Sequence, residues 1–240
     1  MDEDRICGAA AVLALFNQRD AAVQRLFYTE NMRGFVGPLC AHMAATRRPY
    51  RMLDAEALAK VASTTHHGGV VAVAEPRPVP LLDVAAIPRH NMILALDGVS
   101  NPHNLGAIAR SAAYFGVQAL LIHAHPGYAM PSDAAYRTAE GGLEYLALYR
   151  TSDLARSIRM LDQRYRSVAT TLSPQAAPLD ELPRDRPMVL VLGHEEHGIS
   201  HGVLAACRRQ VRIPGSGRVQ SLNVAQSAAV MLHDLTKGNL

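Results

Sequence analysis

The chain has 240 residues, enough for one large domain or two modest ones at roughly 150 residues each. Hydrophobic residues make up 49% and charged residues 19%, so the apolar area needed for a core is present and a disordered tail is excluded. The 17 Gly, 14 Pro and 3 Cys exclude collagen-like and disulfide-stapled chains.

A net charge of +3, from 24 Lys+Arg against 21 Asp+Glu, does not by itself demand a polyanionic partner. Every cation except Lys60 and Lys237 is an arginine, the better bidentate ligand for phosphate; a GC-biased genome accounts for the same preference. Aromatic residues are 5% of the chain and Trp is absent, so base stacking on an aromatic platform is not expected to dominate a nucleic-acid contact. No run approaches the roughly 20 apolar residues of a membrane helix. Three acidic residues and a single arginine precede the first apolar stretch, where a signal peptide would want positive charge. Cys7, Cys40 and Cys207 are odd in number and far apart, which reads as reduced thiols in a cytoplasmic protein.

In chain order, the spacing predicts a helix over 8–16, a short strand over 24–28, helices over 32–46 and 55–62, and a buried strand over 70–74. The segment EPRPVPLLDVAAIPRH follows, with Pro76, Pro78, Pro80 and Pro88. Proline removes donors and forbids helix interiors, so this reads as a semi-rigid connector. The expected organisation is a small α/β domain over 1–75, a linker over 76–90 and a second domain over 91–240. In the second domain, apolar runs at 92–96, 119–122, 145–149, 167–171, 188–192 and 211–213 are interleaved with helical spacing at 104–114, 154–164 and 222–235. Short buried runs alternating with helices predict a largely parallel sheet covered on both faces, an α/β fold.

In such sheets ligands gather at the carboxyl ends of the strands, and three runs end in polar loops. The first reads DGVSNPHNLGAIAR. Here Asn104 is either a helix cap or a functional amide, and Arg110 is either a surface residue or a phosphate ligand. The second reads LVLGHEEHGIS, where Gly193 permits close backbone approach and Glu195 follows. The order H-E-E-H-G-I-S-H over 194–201 is not a zinc-binding H-E-x-x-H pattern, so no metal is expected. The third reads IPGSGRVQSLNVAQSAA, where Ser221 is a candidate N-cap of the last helix.

Together these segments match, in order and spacing, the three motifs of the SpoU-type (TrmH-type) RNA ribose 2′-O-methyltransferases of the SPOUT superfamily, over about residues 91–236. The resemblance implies a deep trefoil knot in a C-terminal SPOUT α/β domain, S-adenosyl-L-methionine as cofactor, a homodimer and an RNA substrate. It places Asn104, Arg110, Glu195, Ser221 and Asn223 at catalytic and substrate-orienting positions, and Thr170, Leu192, Gly193, Ile213 and Leu222 at the cofactor. A guanidinium is a poor base, so Arg110 is assigned first to phosphate binding and to stabilising alkoxide charge. The first domain is similar to the family's ribosomal-protein-like RNA-binding domain, its THHGGVVAV paralleling the family's T-x-H-Q-G-V-V-A.

Three positions depart from the family pattern. Gly68 stands where Gln is usual, His194 where Asn or Ser is common, and Glu140 lies in a segment, RTAEGGLE, where many members carry S-x-G-A. The two-domain layout favours rRNA over tRNA. The competing reading is a catalytically inactive RNA-binding protein that retains the fold. A nucleotide-binding oxidoreductase is disfavoured because no strand-linked G-x-G-x-x-G is present.

Overall fold

The computed structural model describes residues 3–183 and 187–237. In chain order the elements are β1 (Asp4–Cys7), α1 (Ala9–Arg19), β2 (Val23–Tyr28), α2 (Arg33–Ala45), β3 (Tyr50–Met52), α3 (Ala55–Ala62) and β4 (Val70–Ala74). Then come β5 (Met92–Asp97), α4 (Pro102–Tyr114), β6 (Ala119–His123), α5 (Asp133–Ala139), β7 (Ala147–Thr151), α6 (Leu154–Leu161) and β8 (Arg166–Thr170). The chain closes with β9 (Ala177–Pro178), β10 (Met188–Gly193), α7 (His201–Ala206), β11 (Arg209–Arg212) and α8 (Val224–Thr236). They form two compact units. One is the chain up to Pro78 together with Pro131–Tyr145; the other is Val79–Met130 together with the chain from Leu146 onward.

The first unit has a four-stranded sheet in the order β1-β4-β2-β3. Its centre is β4, Val-Val-Ala-Val-Ala, buried at all five positions between antiparallel β1 and β2. Helix α5 and the turn after it join this unit through charge. The Glu144 carboxylate, with a side chain only 1% exposed, accepts from Arg19 Nε at 2.8 Å and Nη2 at 3.0 Å. Arg77 Nη1 donates to the same carboxylate at 3.0 Å and to the Leu143 carbonyl at 2.6 Å. Tyr136 donates its hydroxyl proton to Asp4 at 3.1 Å, and burial pushes both the Tyr136 and the Asp4 pKa up. Within the segment 137–144, Gly141 lies at φ +92°, and a Cβ there would stand 2.7 Å from Ala14 Cβ. Glu140 sits just before it in the left-handed turn that ends α5.

The second unit carries a seven-stranded sheet in the order β7-β6-β5-β10-β8-β11-β9, with every pairing parallel. The two central strands, Met-Ile-Leu-Ala-Leu-Asp and Met-Val-Leu-Val-Leu-Gly, are buried along their whole length, as expected for a sheet covered on both faces. Ile93, Ala95, Val189 and Val191 share one face and pack with Ile158, Leu161, Tyr165 and Val203 under α6 and α7. The alternate residues point the other way, where α8 crosses β10 and packs on α4. Among the prolines, Pro80 accepts from Arg150 N at 2.9 Å, and Leu82 N donates back to the Arg150 carbonyl at 2.8 Å. This segment therefore runs along β7 at the sheet edge, where a missing proline donor costs nothing. His90 is buried with Nε2 lacking a partner, and burial holds its pKa below the usual imidazole range.

Sequence and structure differ at both helix caps near the motifs. Asn101, not Asn104, caps α4: its Oδ1 accepts from His103 N at 2.8 Å, and Pro102 takes the first helical position, where its absent N–H is not missed. Asn223, not Ser221, caps α8, accepting from Ala225 N at 2.8 Å, so that helix starts at Val224 instead of 222.

Candidate active site

The carboxyl ends of β5 and β10 lie side by side, with Asp97 opposite Gly193 in the register. Those of β8 and β11 adjoin them, with Thr170 opposite Val211. All of the candidate loops therefore leave the same end of one sheet.

Asp97 closes β5 and is only 3% exposed. It accepts from Ser200 N at 2.7 Å and faces His123 Nδ1 at 3.3 Å, which ties the first loop to the second. After Gly193 the chain doubles back: His194 and Gly198 exchange both backbone hydrogen bonds, at 2.9 and 3.0 Å, with Gly198 at φ +68°. A Cβ on Gly193 would fall on the Gly198 carbonyl carbon and 2.5 Å from Ile199 N. The glycine is thus required by the loop's own return path, a stricter demand than approach to a ligand.

This hairpin presents Glu195, and the cap at Asn101 places Asn104 one turn inside α4 with its amide free of capping. Asn104 Nδ2 donates to Glu195 Oε1, and Asn104 Oδ1 accepts from Asn223 Nδ2 at 3.2 Å. One amide therefore joins the three loops, across sequence separations of 91 and 119 residues. Asn223 serves twice, its oxygen capping α8 and its nitrogen reaching Asn104.

Arg110 lies exposed on α4, six residues and about 9 Å of helix rise beyond Asn104. Ser221 is exposed in the loop before α8. Thr170 and Ile213 are half-buried at the ends of β8 and β11, and Leu192 is buried within β10, so a ligand would meet Leu192 through its backbone. Leu222 is 44% and Val219 71% exposed. These two, with exposed Leu172 after β8, place apolar side chains on loops of adjacent strands. That apolar lining at the strand ends suits an adenosyl group, whose base and sugar need apolar cover with a few polar contacts. Among the described residues no three His, Cys, Asp or Glu side chains come together to hold a metal ion, and no helix is long and apolar enough to cross a membrane.

Sequence reasoning singled out Asn104, Glu195 and Asn223, which meet. It passed over Asp97 and Asn101, which hold the loops in place. The signal for Asn101 was the Asn-Pro step, an N-cap followed by a proline at the first helical position.

Residues 91–233 match the SpoU rRNA Methylase family, and residues 5–80 match the family described as RNA 2′-O ribose methyltransferase substrate binding. The chain is 32% identical over 240 residues to YfiF of Escherichia coli O157:H7, named an uncharacterized tRNA/rRNA methyltransferase, covering 99% of this chain and 69% of that one. It is 31% identical over 243 residues to the 23S rRNA (guanosine-2′-O-)-methyltransferase RlmB of Pseudomonas aeruginosa, covering 98% of this chain and 96% of that one. Its fold is similar to that of the AdoMet-bound rRNA methyltransferase from Sinorhizobium meliloti, with a TM-score of 0.81 at 23% identity, over 99% of this chain and 88% of that one. With all three motif loops gathered at one end of a parallel sheet and the match running through them, the chain belongs to the SpoU rRNA Methylase family.

Proposed function

We propose that this protein transfers a methyl group from S-adenosyl-L-methionine to a ribose 2′-hydroxyl in structured RNA, with rRNA favoured over tRNA. The observation that carries the reading is the Glu195–Asn104–Asn223 chain of hydrogen bonds, which joins the three motifs at the strand ends. The likeness to a ribosomal RNA enzyme along nearly the whole chain supports rRNA.

When bound, the cofactor supplies the electrophilic methyl of a sulfonium. Thr170, Leu192, Gly193, Ile213 and Leu222 hold it, chiefly through backbone groups and apolar cover. The chain must then align the sugar oxygen with that methyl, and alignment alone is worth several kcal/mol. Arg110 binds the neighbouring phosphate through its planar fork of donors and stabilises negative charge growing on the 2′-oxygen. Glu195 fixes the Asn104 amide, leaving that helix turn in one orientation for the ribose, while Ser221 and Asn223 set the loop that borders it. The methyl would pass from the cofactor's sulfur to the 2′-oxygen, and the hydroxyl proton would leave to solvent.

The reading includes a homodimer, a trefoil-knotted C-terminal segment and a cytoplasmic location. Supporting the dimer, the α4–α8 pair leaves Tyr114 79% exposed, with Val230 exposed as well.

The test is transfer of tritiated methyl from S-adenosylmethionine to purified 16S, 23S and transfer RNA, with the products digested to nucleosides. Label in a 2′-O-methylnucleoside from rRNA is expected. Label on a base, or RNA binding with no transfer and no cofactor binding, would contradict it, the latter in favour of an inactive RNA-binding protein.

A further inference from the structure

The end of β6 and the loop after it carry His123, His125 and Tyr128, none of which belongs to the three motifs. Their rings form a cluster: His125 and Tyr128 centroids are 5.0 Å apart, and His123 and Tyr128 are 5.4 Å apart, edge to face. In the loop after β10, His194 and His197 are stacked at 4.8 Å with ring planes 16° apart. Gly98, at φ +82°, separates the two groups. A Cβ there would be 3.6 Å from Tyr128 Cζ and 3.3 Å from His194 Cβ, so the two groups flank one backbone position whose positive φ favours glycine.

These rings are not core. His125 and His197 are exposed, and His123, Tyr128 and His194 are half-buried. Several are held from behind through Nδ1: His123 by Asp97 at 3.3 Å, His125 by the Pro126 carbonyl at 2.9 Å, and His194 by the Glu196 N–H at 3.0 Å. The orientation of these three rings is therefore fixed through one nitrogen each. The set is covalently continuous with the site, since His194 precedes Glu195 and Gly98 follows Asp97.

We infer that His123, His125 and Tyr128, together with the stacked His194 and His197, form a surface that stacks an unpaired nucleobase next to the ribose being methylated. The inference rests on the methyl-transfer reading and deepens it. Rings of this kind grip bases through their π-faces, with little sequence preference, and the bases open to such a grip are those of single-stranded loops and bulges, where they can be splayed out. Base stacking lost to alanine typically weakens single-strand binding by about tenfold per ring or more.

The experiment compares wild type, Tyr128→Ala/His197→Ala, Tyr128→Phe/His197→Phe and the exposed single variant His125→Ala. Total bacterial rRNA is the probe in filter binding, with S-adenosylmethionine calorimetry and sedimentation run in parallel. The expected result is an rRNA Kd raised about tenfold or more by the alanine pair and by a smaller factor by His125→Ala. The phenylalanine pair should stay near wild type, with cofactor affinity and sedimentation unchanged throughout. Wild-type affinity in both alanine variants would overturn the inference. So would equal loss in the phenylalanine pair, which would make the contact polar, or a change of sedimentation, which would make the surface a contact between copies. Ring-dependent RNA binding without methyl transfer would leave the inference standing and remove the activity instead.

Discussion

The two units spend their polar groups in opposite ways. In the first, Glu144, Arg19 and Arg77 are withdrawn from water and close on one another. In the second, Asn104, Glu195 and Asn223 stay partly accessible at the strand ends. A buried, saturated cluster has no valence left for a ligand, so its role is to hold chain segments together. A half-exposed chain of amide and carboxylate keeps donors and acceptors for a substrate. The contrast teaches that burial and saturation, more than charge, separate the polar groups that hold the fold from those placed to act.

Variants that attack each cluster sharpen this contrast, beginning with the largest effect. Arg110→Ala should lower methyl transfer by about 10³-fold, roughly 4 kcal/mol in the barrier, while S-adenosylmethionine affinity in calorimetry changes little. Near-normal turnover would remove Arg110 from the mechanism. Glu144→Ala should cost about 3–5 kcal/mol in urea unfolding, because it removes the buried carboxylate that Arg19 and Arg77 share. A loss below about 1 kcal/mol, the range of exposed pairs, would erase the difference between the clusters. Gly193→Ala should cost about 1–3 kcal/mol through overpacking against the Gly198–Ile199 backbone, and should weaken cofactor binding with it.

Asn223 separates the two kinds of work within one side chain. Asn223→Ala removes the α8 cap and should cost about 1 kcal/mol. Asn223→Asp keeps a good cap but loses the donor to Asn104, so it should hold stability near wild type while cutting turnover. Equal turnover in Asn223→Asp and wild type would mean that the Asn104 contact is structural only. The smallest effect concerns pH. His90 is held below its unfolded pKa by burial, so the unfolded chain takes up the proton more readily. The stability from neutral His90 is then complete above about pH 6.5 and is lost as pH falls below it. The melting temperature of His90→Gln should fall less than that of wild type between pH 7.5 and 5.5.

Much of this arrangement was readable from residue order. The β-branched run Val70–Ala74 and the apolar runs beginning at Met92 and Met188 predict buried strands, and each is one. β1, β3, α5, β9 and α7 were not predicted from the sequence, and for three of these the physical reason is plain. β1, Asp-Arg-Ile-Cys, is four residues long with polar residues at its start, too short for alternation to register. β3 is exposed at all three positions, so it carries no burial pattern. The placement of α5 in the first unit depends on the ion pairs of Glu144, contacts between residues more than 60 positions apart.

At the site, residue types gave the candidates, but the division of labour needed coordinates. Asn101 and Asn104 are equally plausible caps on paper, and only the geometry shows which amide is spent on the helix. The expectation against an aromatic platform counted Phe, Trp and Tyr and left out 11 histidines, six of which lie in or next to the loops at the strand ends, at positions 103, 123, 125, 194, 197 and 201.

The central claim is most directly tested by mapping every 2′-O-methyl group in total RNA from cells with and without this chain. The account predicts that one or a few riboses, in rRNA, lose their methyl when the chain is absent and regain it with the wild-type protein but not with Arg110→Ala. Identical methylation maps in its presence and absence would contradict it.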